Sequence, residues 1–274
     1  MKTILVPTDF SDCANRATEA AVSLAVRTDS EIHLHHAVNT QLLWNEMSLD
    51  EQKSHPETYG KTLKSDAQLD KMLNKGIFTG VPVRKVLQHG SVYQTMMGYA
   101  DQCKADMIVM GSHGNEGSDK FFIGSNIQKV LREARCPVLT IKKASKVTQW
   151  RKIVYASSFS EEAHQPFEKI MAFARQFDAI IYLLYVNVPA KFKDTRTAMK
   201  QINDFASHYQ GVRFEKVIYD HYELEDGILD FAQDVQPDVL ALAPHNRRAL
   251  AQYLIGVTET LVYRSDIPVL SVNA

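Results

Sequence analysis

The sequence is poor in cysteine, with three in 274 residues, at Cys13, Cys103 and Cys136. An odd number, widely spaced and without a CxxC pair, supports neither a disulfide framework nor a thiolate zinc site, so the three read as reduced core thiols. An excess of charge of one sign is lacking as well. Lysine plus arginine total 31 against 32 acidic residues, which leaves no long-range field to gather nucleic acid or an anionic membrane. Nowhere do about 18 apolar residues run together, and the N-terminal "MKTILVPTDF" is a short apolar stretch cut by Pro7, so neither a membrane span nor a targeting segment is expected. Motifs of chemistry are missing too: there is no GxxxxGK(S/T) of a P-loop ATPase, no HExxH and no GxSxG elbow. What remains is a soluble, cytoplasmic chain long enough for one large domain or two ordinary ones.

A repeat decides for two. "KTILVPTDFSDCANRATEAAVSLAVRTDSEIHLHHAV" aligns without a gap on "RKIVYASSFSEEAHQPFEKIMAFARQFDAIIYLLYV", setting Ile4 on Ile153, Phe10 on Phe159, Ser11 on Ser160 and Ala14 on Ala163. The ends match as well, "ARCPVLTIKK" against "SDIPVLSVNA". The chain is a tandem duplication, near 1–144 and 150–274, joined by the hydrophilic "KKASKVTQW". In each half, runs rich in Ile, Val and Leu alternate with segments of helical period, the order of a parallel sheet covered by helices. Strands are expected at 2–6, 31–38, 82–88, 106–110 and 137–142, and again at 151–155, 179–186, 212–219, 237–242 and 267–272. Ser11 and Ser160 stand where helix N-caps belong. Residues 39–60 have no clean period and suggest a mobile loop or lid.

Glycine is scarce, 12 in all, yet four fall in "MGSHGNEGSDKFFIGSN" at residues 110–126, directly after the apolar "ADMIVM". A parallel sheet binds ligands outside the carboxyl ends of its strands, and Gly111 and Gly114 follow the fourth strand at that edge. Without Cβ they allow close backbone approach and expose amides. Gly124, Ser125 and Asn126 open the next helix with free N–H groups and a positive dipole end. Together these make a phosphate cradle, and His113 lies inside it. Lys120 could reach a terminal phosphate.

With "ILVPTDFS", "DMIVMGSHG", a "GS" nine residues later and "CPVLTI" in order, the sequence resembles the universal stress proteins, and does so over the whole chain as two such domains. The resemblance implies a doubly wound five-stranded parallel sheet in each half, of the adenine nucleotide alpha hydrolase-like kind, with strand order 3-2-1-4-5. Similar ATP-binding members place adenosine against the turn after the first strand. This implies roles for Pro7, Thr8 and Asp9, with Asp9 suited to hydrogen-bond base or ribose, and for Ala37 and Met110 near the base. The ligand would be ATP, or AMP or ADP, with Mg2+ at the phosphates. The second half departs from the pattern: Pro7 becomes Ala156, Asp9 becomes Ser158, and Gly111, Gly114 and Ser125 become Ala243, Asn246 and Val257, while Gly256 matches Gly124. One competent site per chain is expected. Family resemblance further implies that the closing strands, 137–141 and 268–272, pair as an intramolecular pseudo-dimer. A homodimer of chains is left open.

Other constellations read as structural. His33, His35 and His36 crowd the second strand, with His33 and His35 on one face, too few ligands for a metal. Met96, Met97 and Tyr99 have the spacing of a helix packed on a core, and Arg247 and Arg248 read as solvated. Ser125 has no base beside it in sequence, so no catalytic residue is assigned. Three functions stand side by side: a nucleotide-dependent stress or signalling module, a slow ATPase or self-phosphorylating enzyme, and a nucleotide-independent chaperone-like protein.

Overall fold

Aliphatic runs and amphipathic segments sort into strands and helices as their periods dictate. The computed structural model describes residues 1–113, 124–145, 147–244 and 251–273, with 148 and 251–255 described by backbone alone. Packing divides the chain into two compact units, Met1–Val130 and Leu131–Ala274.

In the first unit β1 (Thr3–Pro7) leads to α1 (Asp12–Thr28) and β2 (Glu31–Val38). A 3-10 turn at Trp44–Glu46, α2 (Leu49–Lys53) and α3 (Pro56–Leu73) come next. Then come β3 (Val83–His89), α4 (Val92–Gln102), β4 (Met107–Gly111) and α5 (Ser125–Glu133), whose last residues pass the division. The strands are parallel in the order β3-β2-β1-β4, with Leu5 opposite both His33 and Ile108. Ile4, Leu5 and Val6 are fully buried, and α1 turns an alanine stripe (Ala14, Ala17, Ala21, Ala25) onto them, so helix and sheet lie close. Cys13 is buried and Cys103 half-buried.

The segment 39–60 is folded rather than irregular. Ser48 and Glu51 form a reciprocal capping box for α2, Gln52 Nε2 donates to the Trp44 and Met47 carbonyls, and Trp44 is buried against His89 at a ring distance of 5.3 Å. The periodicity is hidden because a 3-10 turn, a short helix and the start of α3 share the segment.

The second unit contains β5 (Val138–Ile141), β6 (Lys152–Ala156), α6 (His164–Arg175), β7 (Ile180–Asn187) and α7 (Thr195–Ser207). It continues with β8 (Phe214–Asp220), α8 (Leu224–Val235), β9 (Val239–Leu242), α9 (Ala251–Arg264) and β10 (Val269–Ser271). The order β8-β7-β6-β9-β10 is parallel throughout, the 3-2-1-4-5 winding, while β5 pairs antiparallel with β10, Leu139 opposite Leu270.

The two matched serines differ. Ser11 Oγ accepts from Ala14 N at 3.1 Å and caps α1. Ser160 instead precedes a 3-10 turn, Glu161–Ala163, with no side-chain cap bond, and α6 starts at His164 with Pro166 in its first turn. Ser11→Ala should therefore lower urea stability by about 1 kcal/mol. Ser160→Ala should leave the denaturation curve nearly unchanged.

Candidate functional site

β1 ends in a four-residue turn that reverses the chain into α1. Thr8 N continues the ladder to the His35 carbonyl at 2.8 Å. Thr8 Oγ1 accepts from Phe10 N at 3.0 Å and Asp9 Oδ1 from Ser11 N at 3.0 Å, so side-chain oxygens satisfy amides that neither strand nor helix can use. Phe10 stands at φ 66, a left-handed conformation unfavourable for a bulky residue and held by this network. Thr8 is buried while Asp9 is exposed at the tip. Pro7 lies opposite His35, and Ala37, two residues further along β2, reaches the same edge.

β4 delivers its end beside that turn. Met110 is buried, and a Cβ at Gly111 would lie 3.0 Å from the carbonyl carbon and the Sγ of Cys13 and 3.1 Å from Ala14 N. The glycine at 111 thus admits the first turn of α1. Ser112 Oγ lies 3.8 Å from Cys13 Sγ and 3.1 Å from His113 Nδ1, which ties His113 to the same corner. Gly114, Gly117 and Lys120 lie outside the described residues. Beyond them the Gly124 carbonyl accepts from Ile127 N and Gln128 N, which opens α5 with Ser125 exposed and Asn126 half-buried.

Histidines hold this edge from two sides. On the α4 side, Tyr99 OH donates to His33 Nδ1 at 2.9 Å, His33 Nε2 lies 3.2 Å from Glu31, and His35 Nε2 donates to Gln88 Oε1 at 3.0 Å. Both rings thus have protein partners. On the α3 side, His36 Nδ1–H donates to the Thr8 carbonyl at 2.7 Å, Ser65 Oγ lies 3.1 Å from its Nε2, and its ring packs on Phe10 at 4.5 Å. His89 Nε2 meets Thr62 Oγ1 at 2.9 Å. Burial pushes the pKa values of His33, His35, His36 and His89 below the ordinary histidine value. Glu31 opposes it at His33, and the Thr8 carbonyl and Asp9 oppose it at His36. Sequence reasoning missed His36 and Ser65. The available signal was parity, since His36 alternates to the face opposite His33 and His35.

The matching edge of the second unit is built from its own residues. Phe159 keeps the left-handed φ of 54, and its N–H bonds Ser157 Oγ at 3.0 Å. Gln201 Nε2 reaches the Ser158 and Phe159 carbonyls at 2.8 and 3.2 Å. Asn187, buried at the end of β7, bonds Asp220 and the backbone of Lys193. Val257, matched to Ser125, is buried in the core. Asn246, Arg247 and Arg248 lie outside the described residues. No helix among those described is long and apolar enough to cross a membrane.

The pattern defining the Universal stress protein family matches residues 1–142 and again 149–273. A universal stress protein of Methanocaldococcus jannaschii is 31% identical over 147 residues, 53% of this chain and 84% of that one. Another, from Thermus aquaticus, is 31% identical over 145 residues, 52% of this chain and 98% of its own length. The crystal structure of a universal stress protein from Archaeoglobus fulgidus superposes with a TM-score of 0.74 at 18% identity, covering 99% of this chain and 98% of that one, a likeness of fold.

Proposed function

The chain belongs to the universal stress protein family, and from that premise we propose that it is an adenine-nucleotide-binding module with one competent site, at the edge of the first unit. The supporting observation is the turn: Asp9 stands exposed at the tip of a backbone fixed by side-chain bonds, on the edge where β4 ends and α5 begins. Pro7, Thr8, Asp9, Ala37 and Met110 serve the nucleoside. The amides of Gly111 to Gly114 and of Gly124 to Asn126, with His113, serve the phosphates, with Mg2+ bridging them. In the second repeat, which we delimit as 150–274 against 1–144 for the first, Ser158 replaces the acceptor and Gln201 occupies the turn carbonyls.

Calorimetric titration with ATP tests this reading. One site per chain is expected, with Asp9→Ala weakening it about tenfold, the scale of a lost hydrogen bond to a charged group. Two equal sites, or none, would overturn it. We further propose that β5 and β10 form the seam of an intramolecular pseudo-dimer. The amides of 138–141 and 269–271 should then exchange with solvent as one cooperative unit, and independent exchange would contradict this.

A further inference from the structure

Both units hold the carbonyls of the first-strand turn from the side of the helix after their second strand, and they do it with different residues. In the first unit the donor is His36 Nδ1–H on the Thr8 carbonyl, and Ser65 of α3 meets the far nitrogen of the same ring at 3.1 Å. In the second, Gln201 of α7 donates directly to Ser158 and Phe159. At the position matched to His36 stands Tyr185, whose hydroxyl goes to the Lys191 carbonyl instead. The same strained turn is kept in each, with Phe10 at φ 66 and Phe159 at φ 54. A conformation of this kind persists only where its surroundings over-determine it.

We propose that His36 is a positioning residue for the nucleoside end of the site: docked by Ser65, it fixes the Thr8 carbonyl and hence the Asp9 carboxylate, so that ligand affinity depends on α3 being in place. The coupling to affinity rests on the nucleotide reading above, whereas the holding of the turn does not. His36, on β2, bonds both α3 and the turn. Its ring lies against Phe10, the strained residue, and its bond falls on the residue just before Asp9. Thr8 is buried, so its carbonyl has little water to replace the lost donor.

His36→Leu removes the donor and keeps an apolar side chain. His36→Asn restores an N–H near the Nδ1 position, and Ser65→Ala releases the ring from α3. In the ligand-free protein, amide exchange at Phe10 and Ser11 should quicken about tenfold in His36→Leu and return to within about twofold of wild type in His36→Asn. Affinity for ATP should fall about tenfold in His36→Leu and affinity for inorganic triphosphate should hold, because the phosphate end does not use the turn. A folded His36→Leu protein with unchanged exchange, or an asparagine variant as loose as the leucine one, overturns the proposal. Should His36→Leu fail to fold, Ser65→Ala carries the test through the same exchange readout, with quickening expected and its absence decisive against. A wild-type chain that binds no ATP while exchange behaves as expected overturns the coupling to affinity together with the nucleotide reading, and leaves the holding of the turn supported.

Discussion

Replacing Gly111 by valine is expected to abolish measurable nucleotide binding and to lower the stability of the first unit by about 1–3 kcal/mol, the range of an overpacked core. A bare Cβ there already meets the Cys13 carbonyl carbon and Sγ at 3.0 Å and Ala14 N at 3.1 Å. Two of those atoms are backbone in the first turn of α1, which cannot rotate away. The two further methyl groups of valine must push β4 and α1 apart, and the Thr8–Ser11 turn that carries Asp9 runs directly into α1. Gly227→Ala provides the contrast. Its Cβ would lie 2.6 Å from Val186 Cγ1 and 2.9 Å from His221 Cβ, so it should destabilise the second unit by about 1–3 kcal/mol. ATP affinity should nonetheless remain at the wild-type value. Urea denaturation paired with calorimetric titration reads both effects. A Gly111→Val protein that binds normally, or a Gly227→Ala protein that loses the ligand, would show that the competent edge has been assigned to the wrong unit.

The central strands were legible because most are aliphatic runs buried on both faces, whereas the edge strands β3 and β8 carry charged residues and are largely half-exposed or exposed. All ten form, displaced by no more than two residues at most ends, since a buried run marks the middle of a strand and hydrogen bonding sets its limits. The turn at Thr8–Ser11 was legible for a different reason: Thr, Asp and Ser are residues whose side chains replace missing backbone partners. The features that stayed hidden depend on elements distant in the chain. Trp44 is buried and stacks on His89, which β3 brings from a distant stretch, and nothing within 39–60 announces this. His36 reads as one of three crowded histidines until the alternation of β2 and the arrival of Ser65 on α3 separate it. Ser160 looks like Ser11 in the alignment, yet a 3-10 turn and Pro166 delay the start of its helix and leave it without a cap bond. Gly111 was expected to serve a ligand by close approach. The close approach that the structure displays is to the first turn of α1.

Acid should weaken the first unit well before its carboxylates are protonated. His33, His35, His36 and His89 all have pKa values lowered by burial, each thus favouring the neutral form when folded. The unfolded chain takes up protons on these side chains near the ordinary value of about 6.5, whereas the folded unit resists until lower pH. Between those points the unfolded state binds more protons, so stability is fully present above about pH 6.5 and is lost as pH falls. The groups facing these rings modulate the loss. Glu31 opposes the lowering at His33 while Arg84 adds to it, Gln88 opposes it at His35, and Asp9 and the Thr8 carbonyl oppose it at His36, whose own charge bears on His35 and His89. His35, the most enclosed, should contribute most to the decline, and His89, half-buried, should give less because solvent screens it. The urea midpoint of the first unit is therefore expected to drop as pH falls from about 6.5 toward the range where carboxylates protonate. His35→Gln, which keeps an amide donor for Gln88 and cannot titrate, should flatten that decline. A midpoint that stays level over the interval, or a His35→Gln protein as acid-sensitive as the parent, would mean that these rings take up protons as readily in the folded unit as in the unfolded chain, and that α3 and α4 pack on β2 less tightly than their geometry implies.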